Sequence, residues 1–277
     1  MINSANQLIQ NILFSCEKQK SHVAEQVVPE HVLVYVVSGN VEFLIEDEHL
    51  VAEPGSIILI RRNRLTKATK IPDPDVPCKS INIFLTQEII RTYALQNSVG
   101  TQERYAGKPL ILLNRNKFLK GYFDSLIPYL HHSVGLNSKM AKLKTDEAIE
   151  LLLTAHHSME SFLFDLSEPH RIDLEKFISA NFMFNVPISE FARLTGRSLS
   201  TFKRDFKNIY HDTPEKWLRE RRLNEARRLI VHEGKKPSEV YYQVGFENFS
   251  HFSAAYKQLF GHNASDTQSL EKAIISK

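Results

Sequence analysis

The chain has 277 residues, enough for two domains of roughly 100–170 residues each, and its 42% hydrophobic and 24% charged content is that of a folded soluble protein and excludes a disordered one. No stretch approaches the ~18 consecutive apolar residues of a membrane span, and Cys16 and Cys78 stand apart from each other and from any His at metal-ligand spacing, which fits a reducing cytoplasm and not a disulfide framework. The net charge of +3 is uneven: from His170 onward 18 Lys and Arg meet 13 Asp and Glu, a net of +5, against 17 and 19 before it, a net of −2, which points to a polyanion partner for the C-terminal part alone or else to an ordinary solvated helical surface.

The first twenty residues are not read as an export signal. Leu13-Phe14-Ser15-Cys16 loosely matches the end of a lipoprotein signal, but no basic stretch precedes it and Asn6, Gln7, Gln10 and Asn11 interrupt the apolar run. From His31 to Leu85 the chain reads as short strands. Val32 to Val37 is wholly apolar and closes at Ser38-Gly39-Asn40; Val41, Phe43 and Ile45 alternate with Glu42, Leu44 and Glu46; Ile57 to Ile60 follows Pro54-Gly55; Lys79 to Leu85 follows a Pro-rich turn. Short strands at close spacing predict a small β-sandwich or barrel. The period then changes, and helices are expected at Thr86 to Gln96, Asn116 to His131 and Lys139 to Phe164, the last carrying Leu143, Ala148, Leu151, Leu152, Ala155, Met159 and Phe162 on its inner side. Such helices can pair with each other or with a second subunit. Ser167-Glu168-Pro169 is the linker candidate, because Pro disfavours helix through the residue before it. The domains predicted are therefore 1–167, with a β part over about 20–85 and a helical part over about 86–166, and 168–277.

Beyond Arg171 everything reads as helix, and the segment repeats itself. Pro187 to Gly196 followed by Leu199 to Tyr210 matches Pro237 to Phe246 followed by Phe249 to Phe260; Gly196 and Gly245 lie 49 apart, whereas Phe202 and Phe252, Phe206 and Tyr256, and Lys207 and Lys257 lie 50 apart, so the second turn holds one extra residue. Each copy has the parts of a helix-turn-helix: a short helix, a glycine turn that admits positive φ, and a second helix with one apolar stripe and one polar face. In the first copy Leu199, Phe202, Phe206 and Ile209 form the stripe, leaving Ser200, Thr201, Lys203, Arg204, Lys207 and Asn208 for a major groove; Lys203 or Arg204 can donate to guanine O6 and N7, and the hydroxyls and Lys207 to phosphates. Ala192 is small enough to let the two helices cross closely. The second copy offers Ser250, His251, Ser253, Lys257 and Gln258, a set suited to backbone contact more than base readout. Between the copies Pro214 to His232 reads as one helix, with Thr213 as N-cap and Gly234 at its end. Its length, roughly 28 Å at 1.5 Å per residue, is near the ~34 Å rise of a DNA turn. Its Arg219, Arg221, Arg222, Arg227 and Arg228 are read either as phosphate-facing or as ordinary solvated side chains.

Gly245-Phe246, Phe252, Tyr256-Lys257 and Phe260-Gly261, with the pattern from Phe191 to Phe206, resemble the C-terminal signature of the AraC/XylS family of bacterial regulators, over Arg171 to about Ser265. Upstream, Gly39, Pro54-Gly55 and the strand rhythm resemble that family's cupin-like sensor and dimerisation domain, and the layout, including Glu220-Arg221-Arg222, is similar to activators of type III secretion operons. The resemblance implies an α+β chain: an N-terminal cupin-like β-domain with dimerisation helices, and a C-terminal all-α domain of two helix-turn-helix units joined by a long helix. It implies a sequence-specific activator that binds double-stranded DNA, works with RNA polymerase, dimerises through its N-terminal helices, responds to a small-molecule or protein effector, and uses no cofactor and no membrane. Three positions depart from the family pattern. Tyr241 replaces a small residue corresponding to Ala192, Ala254 replaces a basic residue, and a Pro is missing near Ala264; Ala254 and Ala255 are expected to make room for Tyr241.

The alternative is a cupin-type small-molecule enzyme with a helical appendage. Against it, the stretch after Pro54-Gly55 offers Arg62, Asn63 and Arg64 where a metal cupin has His, and no His-x-His occurs. His131-His132 and His156-His157 are neighbours on helices whose rings diverge by about 100° and do not simply chelate one ion. No catalytic Ser/His/Asp set can be assembled. The basic group Arg61, Arg62, Arg64 and Lys67 is read as a solvated loop rim, or else as a seat for an anionic effector or a partner protein.

Overall fold

The computed structural model describes residues 6–46, 48–100, 104–130, 136–155, 158–167, 169–267 and 269, and divides into two compact units, Met1–Glu168 and Pro169–Lys277. In the first unit β1 (Gln7–Ile9), β2 (Ile12–Glu17), β3 (Ser21–Val28), β4 (His31–Ser38), β5 (Asn40–Ile45), β6 (Glu48–Ala52), β7 (Ile57–Ile60), β8 (Arg64–Ile71) and β9 (Cys78–Leu85) precede the helices, and β10 (Leu110–Leu112) lies between two of them. They build two antiparallel sheets, ordered β1-β2-β9-β4-β7-β10 and β3-β8-β5-β6.

The apolar run of β4 is explained by a sheet buried on both faces. Val32, Val34 and Val36 meet Val41, Phe43 and Ile45 of β5 in the core between the sheets, while Leu33 and Tyr35 join a second core beneath the helices. β5 has one dry face only, so its apolar residues alternate with half-exposed Glu42 and Leu44. Gly39 closes the β4–β5 turn at φ +67, and a Cβ there would sit 2.8 Å from the Ile71 carbonyl oxygen. β1 and β2 lie where no element was expected. Ile12 and Phe14 are buried, paired with Ile83 and Ile81 of β9. The three-residue β10 was likewise unforeseen; it pairs with β7 in the midst of the helical part.

The helices of this unit are α1 (Gln87–Gln96), α2 (Lys117–Leu126), α3 (Ser138–Ala155) and α4 (Met159–Phe164); Thr86 and Asn116 cap the first two with their side chains. The single helix expected over 139–164 is thus two, and His131, His132, His156 and His157 lie outside the described residues. Leu143 is 54% exposed instead of inward. The buried line of α3 runs through Ala141, Thr145, Ala148, Ile149 and Leu152, and a residue two positions from Ala141 points about 200° away from it.

The basic group after β7 also differs from a solvated rim. Arg62 and Lys67 are only 4% and 6% exposed. Arg61 ion-pairs with Asp165 and donates to the Tyr105 carbonyl (3.0 Å), Arg62 donates to the Ser167 carbonyl (3.3 Å), and Arg64 pairs with Glu46. Against this group His31 is buried, and desolvation, then the positive Arg62 and Arg61, push its pKa down to about 3.

The second unit is helical among the described residues: α5 (Leu174–Asn181), α6 (Ile188–Leu194), α7 (Leu199–Tyr210), α8 (Pro214–His232), α9 (Pro237–Gln243) and α10 (Phe249–Phe260), then a 3-10 turn at Ala264–Asp266. Thr213 caps α8 and Pro214 occupies its first turn. Leu223, Ala226, Leu229 and Ile230 of α8 pack with Val240, Val244, Phe252 and Tyr256 of the second copy.

Candidate nucleic-acid interface

The two copies align in sequence and share the devices that shape them. Gly196 and Gly245 take φ +64 and +89, and each is pressed against another stretch of backbone: a Cβ would sit 2.3 Å from the His170 carbonyl carbon in the first and 2.4 Å from the Met183 carbonyl oxygen in the second. Ser198 caps α7 by accepting from the Thr201 amide, and Asn248 caps α10 by accepting from the Ser250 and His251 amides. The extra residue therefore lies between glycine and cap. Both helices end on a left-handed residue, His211 (φ 58) and Gly261 (φ 79), whose amides bond to the Lys207 and Lys257 carbonyls at 2.9 Å.

On α7, Phe202 and Phe206 are fully buried; Ser200, Lys203, Arg204, Lys207 and Asn208 are exposed and Thr201 is half-buried. The stripe is shorter than expected: Leu199 is 44% exposed, since the first residue of a helix has no preceding turn to cover it, and Ile209 is half-buried. The polar face is internally bonded. The Ser198 hydroxyl donates to Thr201 Oγ1 (2.9 Å) and lies 3.2 Å from Ser200 Oγ. Lys203 Nζ is 2.8 Å from Glu215 Oε1, and Glu215 is held below the usual carboxylate range first by that hydrogen bond. Asp205 receives Arg197 (3.2 Å) and Arg171 (2.9 Å) and lies 3.7 Å from Arg204 Nε; the Arg197 hydrogen bond leads in depressing its pKa. These acidic partners were missed by sequence reasoning. An i,i+12 ion pair leaves no periodic signal in a single sequence.

On α10, Phe252 and Tyr256 are fully buried, Ser250, His251, Lys257 and Gln258 are exposed, and Ser253 is half-buried. Ala254 is exposed and so does not make room for Tyr241; the Tyr241 ring instead meets Phe249 edge-on at 5.5 Å, with half-buried Ala255 in the same cluster. Ala264, at the missing Pro, is buried beneath a turn whose Asn263 has the backbone angles of the Thr213 cap.

The strut arginines divide by role. Arg222 faces inward, donating to the Phe182 and Phe184 carbonyls at 2.7 Å and reaching the Gly245 carbonyl at 3.5 Å, which ties α8 to the second turn and removes it from the phosphate-facing set. Arg221 and Arg227 lie over the Phe182 and Phe260 rings, Arg228 pairs with Glu225 and Glu233, and Arg219 is exposed.

Comparison with known proteins matches both parts of the chain. Residues 31–163 match the ExsA N-terminal regulatory domain and residues 191–269 a helix-turn-helix domain. The thermoregulatory protein LcrF of Yersinia pestis is 25% identical, over 83% of this chain and 85% of that protein, and the transcriptional regulator ExsA of Pseudomonas aeruginosa is 26% identical, over 82% of each. A solved structure of ToxT from Vibrio cholerae aligns with 93% of this chain and 96% of its own at 14% identity and a TM-score of 0.40.

Proposed function

We propose that the chain is a DNA-binding transcription regulator of the AraC type, an activator like the similar VirF of Yersinia enterocolitica, with an ExsA-like regulatory domain ahead of its helix-turn-helix domain, and that it meets DNA through both helix-turn-helix copies. α7 and α10 enter successive major grooves on one face of the duplex, with α8 as the strut between them. Ser200, Thr201, Lys203, Arg204, Lys207 and Asn208 of the first helix carry base readout, centred on Ser200, Lys203 and Arg204. Ser250, His251, Ser253, Lys257 and Gln258 of the second supply chiefly phosphate contacts. The observation that carries this reading is the repetition, at an offset of 50, of a capped helix with two buried aromatics inside and a hydrophilic face outside.

The regulatory part, 1–167, receives a small-molecule or protein effector and pairs two copies through its helices, while 168–277 binds the duplex, RNA polymerase is the downstream partner, and the protein works in the cytoplasm. No helix among the described residues is long and apolar enough to cross a membrane. The enzyme alternative is not favoured, since the similar ExsA and VirF proteins are named as a transcriptional regulator and a transcriptional activator. Titration of the full chain against a random-sequence duplex at several salt concentrations tests the DNA reading: log affinity should fall linearly with log salt, at about 0.9 for each phosphate neutralised. Affinity independent of salt would refute it. Light scattering should return twice the monomer mass.

A further inference from the structure

The Lys203–Glu215 pair belongs to the first copy alone. Moving 50 residues on, Lys203 becomes Ser253 and Glu215 becomes Ser265. The backbone leading into the acidic position is nevertheless alike in both copies: Thr213 (φ −75, ψ 148) and Asn263 (φ −72, ψ 151) precede a buried Pro214 and a buried Ala264, which open a long helix and a short 3-10 turn, and Glu215 or Ser265 comes next. A residue that becomes serine without loss of that turn is not required by it. Base and acid therefore appear together and vanish together, on a face where the side chains are about half exposed, 48% for Lys203 and 53% for Glu215. Glu215 also stands in the first turn of α8, where the helix dipole favours its charge and makes it a durable acceptor.

We infer that Glu215 positions Lys203 in the free protein and is the group that DNA must displace from it, so that it restrains the affinity of the first helix-turn-helix for any duplex. This rests on the reading of Lys203 as a DNA-facing residue. On docking, the ammonium passes from the carboxylate to a phosphate oxygen or a guanine edge, and the released carboxylate is left beside a polyanion. Both consequences oppose binding. Neither arises at the second copy, where Ser253 and Ser265 carry no charge.

The test uses the full chain and a fluorescein-labelled random-sequence duplex, with affinity read by anisotropy over a range of salt for the wild type, Glu215→Gln, Lys203→Ala and the double variant. Glu215→Gln should bind about twofold to fivefold tighter, the scale of an exposed ion pair, with a salt slope steeper by up to about 0.9. In the Lys203→Ala background the same change should recover less than half of that gain. Unchanged affinity for Glu215→Gln, or an equal gain in both backgrounds, would overturn the inference while leaving the DNA-contact reading intact. Lys203→Ala binding as tightly as the wild type would overturn that reading and the inference with it. Melting temperatures of all four proteins within a degree or so of each other would confine the effect to the charge.

Discussion

The two helix-turn-helix copies share a frame and differ in the face it presents. Phe202 and Phe206 match Phe252 and Tyr256, all fully buried, and the contact made by Phe206 with the Trp217 ring is made in the second copy by a hydrogen bond of 2.9 Å between the Tyr256 and Thr267 hydroxyls. The outer face changes freely by comparison: Lys203 and Arg204 become Ser253 and Ala254. Packing constrains volume at each inner position, so chemistry there can change only within that volume, whereas solvent imposes no such limit on the outer positions. The divergence of the outer faces is thus where a division of labour between readout and anchoring can reside.

The comparison breaks most visibly if the cores are unequal. Phe206→Ala and Phe252→Ala should each destabilise the second unit by about 3–5 kcal/mol, measured by urea denaturation; a loss in one copy only would mean that the other is not a working unit. Next, Arg222→Met should lower stability by about 1–3 kcal/mol, since buried carbonyls at Phe182 and Phe184 lose a charged donor, while the salt slope of DNA binding stays unchanged. A reduced slope with full stability would return Arg222 to the phosphate-facing set. Lys203→Ala and Arg204→Ala should each weaken binding to a preferred duplex by about 1–3 kcal/mol and relax preference at one base pair, whereas Lys257→Ala should weaken all sequences alike and reduce the salt slope by about 0.9. Equal loss of sequence preference from Lys257→Ala would erase the asymmetry between the copies. The smallest effect is expected from Tyr241→Ala, about 1 kcal/mol from the lost edge-to-face contact with Phe249, read as a lowered melting temperature.

Much of this was legible in the residues. The double glycine-centred repeat, the capped strut and the alternation of β5 follow from period and punctuation, which are local properties. What failed was non-local. Whether Arg61 and Arg62 are wet or dry depends on Asp165 and Ser167, about a hundred positions away, so the same basic letters look alike in the buried group of the first unit and on the exposed face of α7. β2 escaped notice because Asn6, Gln7, Gln10 and Asn11 blur its edges, and its strand character comes from pairing with β9. Hydrophobicity alone puts Leu143 and Leu199 inside, but helix phase and helix end leave both exposed. The pairing of Lys203 with Glu215 depends on how the chain turns from α7 through the αL residue His211 into α8, which no spacing rule encodes.

The most direct measurement is in vitro selection from random duplex DNA at about 150 mM salt, with the full-length protein and with Lys203→Ala/Arg204→Ala side by side. Two contact blocks about 10 bp apart, one of them degraded by the double substitution and the other kept, are the predicted result. A motif that survives the double substitution whole, or salt-sensitive binding without any motif, would contradict base readout by the first recognition helix.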